Sequence, residues 1–316
     1  MQQTITTYHI SVLDKSQMRL DLYLATQLPE YSRSNISTWI KQGNVKINSD
    51  TILKAKEKIT YKDHIEIKIK LSNQNDTWHK QNIKINIIFE DEEILLINKP
   101  AGLTVHPGAG QADNTLANAL HYYDENQNKL PRMGIVHRLD KDTSGIMVVA
   151  KTLKAHKSLV TQLQNRTILK TYHAIITGTI IAGATIVNKI GRDPNKRTAM
   201  TVNPNGKEAI THYRVIKKFE KHTLLQVNIE TGRTHQIRVH MSHIKHPIVG
   251  DKTYGKTTIS SNTAPHILNS IKKLDRQALH AFELELDHPG TNERIKFTCP
   301  YPSDFEELLN SLDIVQ

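Results

Sequence analysis

Nine residues, His137-Arg138-Leu139-Asp140-Lys141-Asp142-Thr143-Ser144-Gly145, crowd charge and turn chemistry between two stretches that read as buried strand. Ile135 and Val136 precede them, and Ile146-Met147-Val148-Val149-Ala150 follows as a short apolar run suited to a covered strand. A fold that satisfies both must bury the flanks and hold the charged segment as a loop on a rigid scaffold, where reactive side chains usually sit. Thr143-Ser144-Gly145 supplies the turn residues. In isolation, such a composition is more readily a salt-bridged surface turn. Asp140 is the candidate for chemistry if the loop carries any, and position alone does not decide between the two.

The charge balance narrows the partners. Lys and Arg number 42 against 31 Asp and Glu in 316 residues, a formal charge of +11 that suits a polyanion such as nucleic acid. The excess is spread along the chain, with 12 basic and 8 acidic residues up to position 80 and 30 against 23 beyond it. A hydrophobic content of 38% supports one large domain and a small one. Cys299 is the single cysteine, which excludes an intrachain disulfide framework and a cysteine zinc cluster. The first residues lack a basic and apolar leader, and no apolar run approaches bilayer length. The expectation is a cytoplasmic monomer with no membrane partner.

Residues 72–82 are polar and without period, and the chain is expected to divide there into a small domain over 18–75 and a large one over 83–316. In the first, Leu20, Leu24 and Leu28 form one face of a helix that Pro29 ends. A second helix carries Ile36, Trp39 and Ile40, with Ser32 or Ser34 able to cap its start and Gly43 its end. The period then changes to two: Val45 and Ile47 alternate with Lys46 and Asn48, and Ile65, Ile67, Ile69 and Leu71 with Glu66, Lys68 and Lys70. Arg19-Leu20-Asp21, Ser32-Arg33-Ser34 and Gly43-Asn44-Val45-Lys46-Ile47-Asn48 resemble the S4 RNA-binding module. The resemblance implies that Arg19, Arg33, Lys41 and Lys46 face RNA phosphates, contacts that position RNA without reading sequence; the alternative is a solvated basic face.

Beyond the linker the pattern is mainly strand, predicting an α+β domain with a large antiparallel or mixed sheet. Ile83, Ile85, Ile87 and Phe89 alternate, Asp91-Glu92-Glu93 turns, and Ile94 to Ile97 returns as a hairpin. Further strands are expected over 170–177, 211–216, 224–229 and 278–286, a helix over 153–164, and a mobile surface loop over 256–270. Glu230 to His240 reads as a strand with Arg233, His235, Ile237 and Val239 on one face and Arg238 on the other.

His137-Arg138-Leu139-Asp140 with Lys141-Asp142-Thr143-Ser144-Gly145, Lys170-Thr171-Tyr172-His173-Ala174 and Gly232-Arg233-Thr234-His235-Gln236 resemble, in order, three motifs of the RluA-type pseudouridine synthases. The resemblance spans about residues 18–302. It implies a curved, mainly antiparallel central sheet with the active site in a cleft across it, Asp140 as catalytic carboxylate, Arg233 as its partner and Tyr172 against the target base. A guanidinium beside a carboxylate favours its ionised form and orients it through parallel hydrogen bonds. Arg138, His137 and Gln236 fall on the substrate side, with Arg138 able to fill the space of an extruded nucleotide and His137 structural rather than a general base. Such an enzyme breaks the N1 glycosidic bond of uridine, turns the uracil and rejoins it through C5, so no cofactor is expected. An ionised carboxylate serves equally to attack C1′ or to remove a proton from C2′. The implied partner is large-subunit ribosomal RNA, free or within an assembling subunit.

Two other classes compete: a non-catalytic RNA-binding assembly factor, and a hydrolase using Asp140 and Asp142 as a carboxylate pair. The intact trio argues against the first, and Lys141 and Lys151 offer Asp142 an ordinary ion pair. His240, His243 and His246 recur every third position, but Pro247 breaks the helix that would align them, so no metal is expected.

Overall fold

The structure, a computed structural model, describes residues 5–13, 17–28, 31, 33–70, 78–108, 111–196, 198–255 and 263–314. The chain forms two units, Met1–Gln74 and Asn75–Gln316, each with its own hydrophobic core.

In the first unit β1 (Ile5–Ser11) leads to α1 (Leu20–Gln27), α2 (Arg33–Lys41), β2 (Val45–Ile47), β3 (Asp50–Thr51) and β4 (His64–Lys70), with an antiparallel sheet in the order β1-β4-β2-β3. The expected faces close the core: Leu20, Leu24, Ile36, Ile40, Val45 and Ile67 are fully buried. Gly43 ends α2 at φ 76°, a left-handed conformation that lets its N–H reach the Ile40 carbonyl. Strand β1 lies upstream of the expected boundary at 18 and pairs along all of β4, from Ile5 against Lys70 to Ser11 against His64. Ser32 and the Ser34 side chain, the expected caps of α2, lie outside the described residues.

The second unit runs β5 (Asn86–Glu90), β6 (Ile94–Lys99), α3 (Leu116–Tyr123), β7 (Ser144–Ala150), α4 (Leu153–Gln164), β8 (Leu169–Thr177), β9 (Ala184–Arg192), β10 (Met200–Val202), β11 (Lys207–Lys218), β12 (His222–Ile229), α5 (Gln236–His243), α6 (Pro265–Leu274), β13 (Leu279–Asp287), β14 (Arg294–Thr298) and α7 (Ser303–Asp313). Among the described residues these strands form one mostly antiparallel sheet in the order β10-β9-β11-β12-β8-β13-β7-β6-β5, with β14 on the outer half of β13; β13 against β7 is the parallel pair. Every residue of β7 is buried, as a central strand requires. Asp91 makes the β5–β6 hairpin by accepting the Glu93 and Ile94 amides.

Three expectations change. Part of the polar linker, Trp78 to Gln81, lies along α3: the Asn118 amide donates to the His79 carbonyl and the Gln81 N–H to the Asn118 carbonyl. Residues 71–77 lie outside the described residues. Of the expected surface loop over 256–270, the part from Pro265 onward is helical in α6, where proline occupies the first turn and gives up no needed donor; residues 256–262 are outside the described set. The strand expected across Glu230 to His240 is a loop followed by α5, because Ile237 and Met241 bury at helical spacing beneath the sheet.

Candidate active site

The sheet register brings the motifs together. Gly145, at the start of β7, pairs with Ala281 of β13, which pairs with Tyr172 of β8, which pairs with Val227 of β12. The Asp140 loop enters β7, and the loop after β12 feeds α5, so both converge on the edge where Tyr172 sits. Gly145 holds φ 118°, and a Cβ there would stand 2.2 Å from the Ala281 carbonyl oxygen. Glycine therefore lets the loop drop straight into a parallel pairing.

The loop is fixed from below. Asp140 to Thr143 closes a turn, with the Thr143 N–H donating to the Asp140 carbonyl. Lys99, wholly buried, donates from Nζ to the carbonyls of Pro100, Leu103 and Lys141 at 2.8, 2.9 and 3.0 Å. Burial pushes its ammonium down to about 7, opposed by the charges of Asp142 and Asp140. Arg276 is held by two bonds to Asp304 and donates to the Asp142 carbonyl, while Gln277 donates to the Thr143 hydroxyl. Ser144 Oγ lies 2.9 Å from His280 Nδ1. The turn holding Asp140 thus has no slack in its backbone.

A cavity of about 310 Å³ opens over this loop, lined among others by Arg138, Asp140, Lys170, Tyr172, His235 and Arg238. Arg238 Nη1 donates to Asp140 Oδ2 at 3.2 Å. Its Nε and Nη2 donate to the two oxygens of Asp251 at 2.7 and 2.9 Å, and its guanidinium lies 5.0 Å from the Tyr254 ring centre. The Asp251 side chain is fully buried and also accepts the Thr253 and Tyr254 amides. Arg238 is consequently oriented by one carboxylate and offers its remaining edge to another. Burial, and then the charge of Asp140, pushes the Tyr172 phenol well above its ordinary range, so it stays protonated.

The arginine beside Asp140 is Arg238, not the expected Arg233, whose Nε donates to the Glu208 carbonyl at the edge of the cavity. A strand would have turned Arg238 away; a helix starting at Gln236 buries it and aims it at the loop. Gln236, expected at the substrate, has both donors and both acceptors occupied: it donates to Ile210 O and Thr211 Oγ1 and accepts from Thr231 Oγ1 and the Arg233 N–H. It shapes the loop instead. His137 accepts the Val148 amide at Nε2, and burial pushes it down to about 3, so it is a neutral part of the scaffold. Arg138 is exposed and lines the cavity. Asp251 and Lys99 carry no role in the sequence reading: each serves the site only through contacts that the fold creates, Asp251 by holding Arg238 and Lys99 by holding the Asp140 loop.

In the N-terminal unit Arg19 and Arg33 both meet Asp21, at 2.9 and 2.8 Å, and clamp α1 to the start of α2. Burial alone would raise the Asp21 carboxyl; hydrogen bonds from both arginines hold it below the usual carboxylate range. Two of the four expected phosphate contacts therefore have a structural partner, while Lys41 is exposed in the last turn of α2 and Lys46 half-buried on β2.

Residues 93–243 match the RNA pseudouridylate synthase family and residues 18–65 the S4 domain. Ribosomal large subunit pseudouridine synthase D of Vibrio cholerae is 45% identical over 295 residues, covering 93% of this chain and 91% of the relative. The chain belongs to the RluA-type pseudouridine synthases. The protein of the same name from Pseudomonas aeruginosa is 47% identical over 295 residues, covering 93% and 92%. The solved structure of human RNA Pseudouridylate Synthase Domain Containing 1 aligns with a TM-score of 0.55 at 28% identity, over 70% of this chain and 85% of that one. This pseudouridine synthase therefore carries an S4 domain ahead of its catalytic domain and acts on RNA. Among the described residues no helix is long and apolar enough to cross a membrane.

Proposed function

We propose that this synthase isomerises uridines of large-subunit ribosomal RNA, with Asp140 as its catalytic carboxylate, Arg238 as the partner that orients it, and Tyr172 against the uracil. The observation that carries the reading is Asp140 in a cleft with an arginine fixed by a second, buried carboxylate. In the reaction the N1–C1′ bond breaks, the freed base turns in the cleft, C5 bonds to C1′, and the proton lost from C5 is balanced by one gained at N1. No oxidant, reductant or carrier enters that balance. Leu139, Tyr172, Ile237 and Leu279 line the cleft and limit water, which retains the base between the two bonds. Arg138 stands beside Asp140 to take the place of the extruded nucleotide.

The names of the relatives support large-subunit RNA as the substrate, and the overall charge of +11 suits it. We read the enzyme as a cytoplasmic monomer, acting on free RNA or on an assembling subunit, with Lys41 and Lys46 joining Arg33 at phosphates. The test is release of tritium from C5-labelled uridine in a 23S transcript or a large-subunit precursor. Wild-type protein is expected to release it at discrete mapped positions, and Asp140→Asn to bind the RNA without release; turnover by that variant would overturn the assignment.

A further inference from the structure

His235 is a residue the mechanism above does not use. It sits at the N-cap of α5 with φ 57° and ψ 19°, left-handed backbone that a side chain adopts at a cost, yet its ring makes no capping bond. The ring turns instead into the cleft. Nδ1 lies 2.7 Å from Tyr254 Oη, and Nε2 lies 4.0 Å from Asp140 Oδ2.

We infer that His235 is a positioning residue for Asp140, presenting an Nε2 proton to Oδ2, and that Tyr254 sets which ring nitrogen carries that proton. Tyr254 Oη accepts the Met200 N–H at 2.8 Å, and its own proton is assigned to His235 Nδ1, which places the imidazole hydrogen on Nε2, the nitrogen that faces the carboxylate; the opposite tautomer, with Nδ1–H donating to Oη, is the alternative that nitrogen NMR separates. Burial lowers the histidine, which keeps the ring neutral, and raises the tyrosine, which keeps the phenol protonated. Arg238 Nη1 approaches the same Oδ2 at 3.2 Å. In this structure Arg238 is the donor on Oδ2 and His235 Nε2 stands 4.0 Å from it, longer than a hydrogen bond, so the positioning role requires that separation to shorten when substrate fills the cleft, leaving Oδ1 to the ribose.

The inference rests on Asp140 being the catalytic carboxylate, so Asp140→Asn is measured alongside on the same C5-tritiated 23S transcript. His235→Gln keeps an amide donor near Nε2, and His235→Met removes it while bearing the same left-handed strain. The expected result is kcat within about fivefold of wild type for Gln and a fall of about 10- to 100-fold for Met, with KM within about twofold for both. Nitrogen NMR of histidine-labelled holo-length protein should report the Nε2–H tautomer, and Tyr254→Phe should shift it toward Nδ1–H. Equal losses in Gln and Met, no loss in Met, or an Nδ1–H tautomer in the wild type overturns the inference. Turnover by Asp140→Asn would instead overturn the assignment beneath it.

Discussion

Two arginines five positions apart in one segment, Arg233 and Arg238, have different environments, and their chemistry follows. Arg238 is buried, with three hydrogen bonds to two carboxylates. Lysine cannot reproduce a fork that holds one carboxylate with two nitrogens and a second with the third. Arg238→Lys is therefore expected to lower kcat at least about 100-fold, the usual cost of losing a fixed donor at a reacting charge. Arg233 bonds one backbone carbonyl at the cavity edge, and Arg233→Ala should raise KM while kcat stays within about tenfold. Steady-state kinetics of the two variants reads the difference, and a reversed order would return the role to Arg233. The placement of Asp140 and Tyr172 at the cavity is legible in the sequence because it follows from a turn-rich loop and a strand with clear patterns. That of Arg238 is not, because which arginine faces the cleft depends on the helix, and five polar or charged residues from Thr231 to Gln236 masked its start.

Elements with a clear period were legible: the 153–164 helix, the β5–β6 hairpin and the strands near 170, 211, 224 and 278 all form. Those missed lack a strong pattern. Strand β9 alternates weakly and leaves Val187 exposed, β10 has three residues, and β1 precedes the expected boundary. The glycine that ends the nine-residue loop was legible as a turn residue, but not as the point where β7 meets β13. Only the three-dimensional register reveals that the Ala281 backbone occupies the space a side chain needs. Gly145→Ala would add a methyl group 2.2 Å from a carbonyl oxygen at a φ that disfavours it. A loss of about 3 kcal/mol or more is expected, measured by urea unfolding. A change below about 1 kcal/mol would mean that the β7–β13 pairing yields readily.

At the scale of the whole chain, the two cores predict separable behaviour. Removing residues 1–74 should leave the catalytic unit folded, weaken RNA binding, and flatten the dependence of affinity on salt by roughly one to two units of slope through loss of phosphate contacts. An unchanged slope would show that Lys41, Lys46 and Arg33 face solvent. The histidine part of the acid stability belongs to the catalytic unit. His173, His240 and His280 are buried, and desolvation pushes each down to about 4. Desolvation is what favours the neutral form of His280, whose Nε2 donates to the Cys299 carbonyl and whose Nδ1 lies 2.9 Å from Ser144 Oγ, directly behind the Asp140 loop. The folded values lie below the unfolded value of about 6.5, so the unfolded chain binds more protons across that interval. Stability is then fully present above pH 6.5 and falls as pH drops toward 4, by about 1.4 kcal/mol per pH unit for each histidine involved. Paired carboxylates such as Asp21, held below their usual range, contribute their loss only at lower pH, so the two windows separate. Thermal unfolding from pH 7.5 to 4.5 should show the decline beginning near 6.5. His280→Gln should reduce the slope whatever it does to absolute stability, since it removes one of the groups that must remain uncharged. A level profile down to pH 5 would mean that these rings accept protons within the folded protein, and the neutral network behind Asp140 would have to be abandoned.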